Sequence, residues 1–194
     1  QQEPYRELRE MIDFREEQLY WLQRMQHHTI NPTDERSIEI VKSMIDQVAP
    51  LFRSNLFNIC CDETFDLHTY DALGIDSGKL YVDFVKKIIA HVQKRGKKVM
   101  MWADILLKYP HTIDQIPAGT CFLNWNYSAD PPEEKVIRLA ETGETQIVCP
   151  GTASWSRLCE SVGRGEPNIC RMAEYGYTHG AKGVLNTNWG DWGN

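Results

Sequence analysis

The chain has 194 residues, of which 25% are charged and 42% hydrophobic, with 13 glycines and 9 prolines; these values exclude collagen-like, low-complexity and disordered protein. Twenty-one Lys and Arg against 27 Asp and Glu leave a net charge of -6, so no basic footprint invites a phosphate backbone and nucleic acid is not an expected partner. No apolar run approaches the ~20 residues of a membrane span, and the polar opening Gln1-Gln2-Glu3-Pro4-Tyr5-Arg6 lacks the basic-then-apolar order of a secretion signal, so a soluble chain away from membranes is expected.

Six cysteines, Cys60, Cys61, Cys121, Cys149, Cys159 and Cys170, include no CxxC pair, which argues against a zinc site. Cys60, Cys121 and Cys149 lie in apolar runs and are expected to be reduced thiols of the core, consistent with a cytoplasmic location.

Residues 1–33 read as a connecting segment from an earlier part of the same fold, and residues 34–194 as the C-terminal part of one domain. From Asp34 onward, Ile38, Val41, Ile45, Val48 and Phe52 fall at helical spacing and form one apolar stripe. Asn55–Cys61 follows as a short buried strand that stops at the carboxylate pair Asp62-Glu63. The rhythm then repeats. A helix carries Tyr81, Phe84, Val85, Ile88 and Val92 on one face and ends at Gly96, and Lys98–Trp102 is the next strand. Cys121–Trp125 is a third strand, and a helix starting near Pro131-Pro132 presents Val136, Leu139 and Ala140. Gln146–Cys149 is the fourth strand, Gly163-Arg164-Gly165 a loop, Asn168–His179 a helix and Gly183–Thr187 the fifth strand.

Short apolar strands alternating with amphipathic helices predict an α/β fold with a parallel sheet. An open doubly wound sheet and a (β/α)8 barrel share that rhythm, and the residues just past each strand favour the barrel. They are Asp62-Glu63, then Trp102 with Asp104, Trp125 with Tyr127, Thr152, Ser154 and Trp155, and Trp189 with Asp191. Chemistry at several successive strand ends marks the C-terminal face of a barrel, whereas an open sheet binds chiefly at one switch point. Five strands amount to part of a barrel, about its last five βα units, whose open edge is expected to self-associate.

Aromatic rings alternating with carboxylates suit a sugar, because an indole packs on the apolar face of a pyranose while Asp and Glu accept hydrogen bonds from its hydroxyls. Cleaving a glycosidic bond requires a general acid and a second group that stabilises the cationic sugar carbon, and Asp62 with Glu63 can fill both roles. Two other readings stand beside this one. Asp62, Glu63, Asp104 and Asp191 could instead hold a divalent cation for metal-assisted hydrolysis, or the chain could bind carbohydrate without cleaving it.

The ordered stretches Phe57–Leu67, Met101–Leu106, Leu123–Tyr127, Cys149–Trp155 and Thr187–Asp191 resemble the later part of the catalytic barrel of glycoside hydrolase family 20, the β-N-acetylhexosaminidases, and among them the bacterial exo-β-N-acetylglucosaminidase branch. The resemblance implies a substrate-assisted, retaining reaction with no cofactor and no metal, and an N-acetylhexosaminide as the partner. Glu63 would be general acid and then base, and Asp62 would orient the 2-acetamido group. Trp102, Trp125 and Trp189 would wall the acetamido group and sugar ring, and Asp191 would bind sugar hydroxyls; Asp104, Tyr127 and Trp155 are placed with them as substrate contacts. Three features depart from the family pattern, the first being that the arginine of the family's first barrel strand, which grips the non-reducing sugar, has no counterpart in this chain. Asn58, Cys60 and Cys61 stand where its His-x-Gly-Gly-Asp-Glu motif has His and both Gly, so Cys60 is expected to crowd the strand. The Tyr-x-Asp that many members carry after the seventh barrel strand is missing, which leaves Tyr127 or Trp155 to contact the acetamido group.

Overall fold

A computed structural model of the chain describes residues 29–155 and 161–189. The expected connecting segment falls largely outside these residues, as do Cys159 and Asp191. Five parallel strands, β1 (Leu56–Asn58), β2 (Lys98–Trp102), β3 (Cys121–Trp125), β4 (Gln146–Cys149) and β5 (Gly183–Val184), pair in sequential order. Helices α1 (Glu35–Val48), α2 (Ser77–Gln93), α3 (Asp104–Lys108), α4 (Glu133–Ala140) and α5 (Val162–Thr178) alternate with them. The chain is α/β, and among the described residues its sheet has no switch point: each strand lies beside its predecessor, as in a barrel wall.

Side-chain alternation separates the two faces of this sheet. Val99, Met101 and Phe122 point to the helices and join Val82, Val85, Ile88 and Ile89 of α2 in the main core, while Val148 meets Val136 of α4 and Met172 of α5. Met100, Trp102, Leu123, Trp125, Ile147 and Cys149 form a separate cluster on the other face that includes no helical residue. Helices on one side and a cluster of strand side chains on the other are the layering of a barrel wall, with an outer helical layer and an inner face. Each fully buried Val or Ile of α2 contributes roughly 1.5–3 kcal/mol, so this helix is a principal anchor of the wall.

Capping follows local chemistry. Asp34 and Asp76 cap α1 and α2, their side chains accepting from the backbone N–H groups of Arg36 and Lys79. Gly96 takes φ +73 just past the end of α2, as its position predicts.

Three sequence-based expectations are corrected. The apolar stripe is not buried along its full length: Val48, the last residue of α1, and Phe52 beyond the helix lie exposed, Phe52 meeting the Phe57 ring of β1 edge-on. Gly163-Arg164-Gly165 is not a loop but the opening of α5, which starts six residues before the expected Asn168. Local propensity disfavours helix there, and packing overrides it: a Cβ on Gly165 would stand 2.3 Å from the Thr152 carbonyl oxygen, so only glycine lets α5 dock this closely. Cys60, expected in the core with Cys121 and Cys149, is exposed, whereas the other two are buried.

Candidate active site

Strand β1 is shorter than its apolar run because the backbone leaves extended geometry at Cys60. Cys60, Cys61 and Glu63 adopt φ values of 59°, 67° and 49°, a left-handed region that costs a non-glycine residue about 1–3 kcal/mol. Cys60 does not crowd the strand as expected; its penalty is conformational, since its side chain is exposed. The turn is pinned on both sides. The Ile59 N–H donates to the Met100 carbonyl, and the Cys60 N–H donates to Asn58 Oδ1, both at 2.9 Å. The Cys60 carbonyl accepts from the Trp102 N–H at 3.0 Å, and the Cys61 carbonyl accepts from the Tyr81 hydroxyl of α2 at 2.7 Å. Consecutive residues of an extended strand face opposite ways, and the left-handed turn abolishes that alternation for Asp62 and Glu63.

Asp104, at the start of α3, closes the turn from the far side: its Oδ2 accepts the Glu63 backbone N–H at 3.0 Å. Its other oxygen, Oδ1, is buried without a hydrogen-bond partner among the described residues. Burial raises the Asp104 carboxyl to about 6; the Glu63 amide opposes that rise, and the nearby charge of Asp62 adds to it. Burial also raises the Asp62 carboxyl above its ordinary value. Asp104 thus sits behind the carboxylate pair and holds the backbone of one member. No group of three or more His, Cys, Asp or Glu among the described residues is arranged to hold a metal ion.

Trp125 at the end of β3, Trp155 past β4 and Trp189 past β5 converge on Tyr127. Trp125 stacks on it with centroids 5.1 Å apart and 19° between planes, and Trp155 meets it edge-on at 4.9 Å. The Trp189 Nε1–H donates to the Tyr127 hydroxyl at 2.9 Å. Trp102 is buried, at 6% exposure, and touches Trp189 edge-to-face at 6.2 Å, while Trp189 is 37% exposed. Burial lifts the Tyr127 phenol to about 12, opposed by its hydrogen bonds with Thr187 and Trp189 and helped slightly by Cys149 and Glu63. A hydroxyl network runs alongside: Thr152 Oγ1 and Ser154 Oγ share a hydrogen bond at 2.7 Å, and Ser154 donates to Asn188 Oδ1 at 2.6 Å.

Seven of the nine expected site residues therefore form two connected groups, Asp62, Glu63 and Asp104 in one and Trp125, Tyr127, Trp155 and Trp189 in the other, with Trp102 packed against the second through Trp189. Asp191 lies outside the described residues. Sequence reasoning missed Tyr81, the buried α2 residue that holds the Cys61 carbonyl, because at helical spacing it reads as an ordinary core aromatic. It also missed the buried Asn168 of α5, whose polarity at a packed helix position was the available signal.

The family model for the catalytic domain of glycosyl hydrolase family 20 matches residues 3–161. Among solved structures, Dispersin B matches with a TM-score of 0.57 at 19% identity, covering 86% of this chain and 56% of that one. The chitobiase of Flavobacterium johnsoniae matches with a TM-score of 0.57 at 16% identity, over 82% of this chain and 26% of that one. The β-N-acetylhexosaminidase of Bacteroides fragilis matches with a TM-score of 0.56 at 14% identity, over 84% and 36%. No curated protein sequence matches. The chain therefore spans between about a quarter and somewhat over half of the length of these three proteins, and at such identities the likeness is one of fold. With the family model covering most of its residues and these folds agreeing with its sheet, the chain belongs to glycosyl hydrolase family 20.

Proposed function

We propose that the chain carries the acid–base centre of a β-N-acetylhexosaminidase that releases terminal β-linked N-acetylhexosamine with retention. The observation that supports this most is the clamped left-handed turn, which carries adjacent carboxylates, Asp62 and Glu63, just past β1 of the sheet whose β3, β4 and β5 lead to the aromatic group centred on Tyr127.

In this reading Glu63 donates a proton to the leaving glycosidic oxygen as the carbonyl oxygen of the substrate's 2-acetamido group attacks the anomeric carbon. The bond to the leaving group breaks as the ring of an oxazolinium ion closes. Asp62 accepts the acetamido N–H and stabilises the positive charge that develops, an effect strengthened in its partly buried, low-dielectric setting. The Glu63 carboxylate then takes a proton from water, whose oxygen attacks the anomeric carbon and reopens the ring, restoring the acetamido group and the acid. Tyr127, Trp125 and Trp189 supply apolar faces for the acetamido methyl and the pyranose, and the Tyr127 hydroxyl donates to the acetamido oxygen.

The test is release of a chromophore from an aryl N-acetyl-β-glucosaminide, with and without EDTA, compared with the aryl β-glucoside that lacks the acetamido group. The expected result is chelator-insensitive turnover confined to the acetamido sugar. Turnover that EDTA abolishes and a divalent cation restores, or equal turnover of both glycosides, contradicts the reading.

A further inference from the structure

The aromatic group draws on two loops that meet through the Tyr127 and Trp155 rings, the segment after β3 that carries Tyr127 and the segment after β4 that leads to Trp155. Both are fastened to α5. Asn168, with no exposed surface, donates through Nδ2 to the carbonyls of Asn126 at 2.9 Å and Ser128 at 2.7 Å, and its Oδ1 accepts the Gly151 N–H at 2.9 Å. One turn earlier, Arg164 donates through Nε to the Tyr127 carbonyl at 2.9 Å. Three consecutive carbonyls around Tyr127 thus end on two side chains of one helix.

The tolerances at this joint are small. A Cβ on Gly151 would lie 2.7 Å from both the Tyr127 and the Trp155 rings, so the rings close over bare backbone at the residue whose N–H Asn168 accepts. The missing Cβ of Gly165 sets the height of α5 against Thr152 in the same loop. Every hydrogen-bonding atom of the Asn168 amide is committed, and all of its partners are backbone groups of the two ring-bearing loops.

We propose that Asn168 is a positioning residue for the substrate pocket: its carboxamide sets the spacing of the Tyr127 and Trp155 rings and thereby the fit of the sugar they receive. The proposal rests on the sugar-pocket reading above and deepens it. A group acting through others changes substrate fit, and misplacement of a binding surface by about 1 Å costs roughly 100-fold in rate. A purely structural amide would change only stability.

Gln146 provides the comparison. It too is a buried amide, donating through Nε2 to the Val136 carbonyl and accepting from Asn124 Nδ2, but it opens β4 at the end of the sheet away from the aromatic group. The experiment compares Asn168→Asp, Gln146→Ala and Arg164→Ala in the full-length protein. Asn168→Asp keeps the size and the acceptor of the side chain but removes both donors. The readouts are the near-UV circular dichroism of the ligand-free protein and the affinity for a thiazoline mimic of the cyclised sugar, alongside thermal stability.

For Asn168→Asp the ring spectrum changes and thiazoline affinity falls about tenfold or more. Gln146→Ala lowers the melting temperature yet keeps both readouts within about twofold of the parent, and Arg164→Ala moves them in the same direction as Asn168→Asp by a smaller amount. An Asn168→Asp protein that matches Gln146→Ala in spectrum and affinity overturns the proposal. If Asn168→Asp does not fold, Arg164→Ala decides, since its side chain is exposed and its loss releases only the Tyr127 carbonyl. A parent that binds no thiazoline refutes the functional reading instead, and the ring spectrum alone then decides whether Asn168 positions the cluster.

Discussion

Replacing Asp104 by Asn should make the protein more stable at neutral pH and not at pH 4. Burial raises this carboxyl from about 3.8 in the unfolded chain to about 6 in the native one. The native state therefore holds its proton more tightly, and between pH 4 and 6 it binds more protons than the unfolded state. Stability falls as pH rises through that window and levels off above it. A gap of about two pKa units corresponds to roughly 3 kcal/mol, the cost of ionising Asp104 in a site where only Oδ2 has a hydrogen-bond partner. An amide cannot ionise, and its carbonyl oxygen can still accept the Glu63 N–H. Urea unfolding of parent and variant from pH 4 to pH 8 measures the effect, and subtracting the two curves cancels the other titrating groups. The difference should grow by about 3 kcal/mol in favour of Asp104→Asn as pH rises from 4 to above 6. A pH-independent difference would refute the inference that Asp104 is a strained, buried carboxylate.

Other perturbations follow from the same turn and sheet. Cys60→Gly removes the left-handed penalty of an exposed side chain at φ 59° and, after the entropy that glycine adds to the unfolded chain, should gain about 0.5–1 kcal/mol; Cys60→Ala, which keeps the Cβ, should gain nothing in the same thermal melt. Asp62→Asn should weaken thiazoline binding about tenfold or more by calorimetric titration, and unchanged affinity would remove Asp62 from the acetamido contact. The 194-residue chain expressed alone leaves β1 and β5 unpaired at the edges of its described sheet, with Leu56, Val184 and Leu185 exposed, so light scattering should report self-association rather than a monomer.

Helices α2 and α4 were legible in the sequence because their buried residues recur at helical spacing and little else competes for them. β5 stops at Val184, short of the expected Thr187, while the ends of β2 and β3 were legible for a related reason: a short apolar run that stops at Trp leaves few alternatives. The end of β1 was not, since a left-handed turn built from Cys and Glu has no local signature and is held by partners 20 to 41 residues away, Tyr81 and Asp104. Glycines and Pro167 hid the first turns of α5, where one close contact with Thr152 outweighs helix propensity. Asp104 illustrates the site itself. Its place beside Trp102 marked it as a substrate contact, but the structure commits one of its oxygens to the Glu63 backbone, a relation that no spacing rule conveys.

The assignment of proton transfer to Glu63 is tested most directly by Glu63→Gln, assayed on aryl N-acetyl-β-glucosaminides across a series of leaving groups. The substitution preserves the shape of the side chain and removes its proton. Turnover of substrates with poor leaving groups should fall about 10²–10⁴-fold, the loss should shrink as the leaving group becomes more acidic, and thiazoline affinity should remain close to that of the parent. Wild-type turnover on the poorest leaving group would contradict the account.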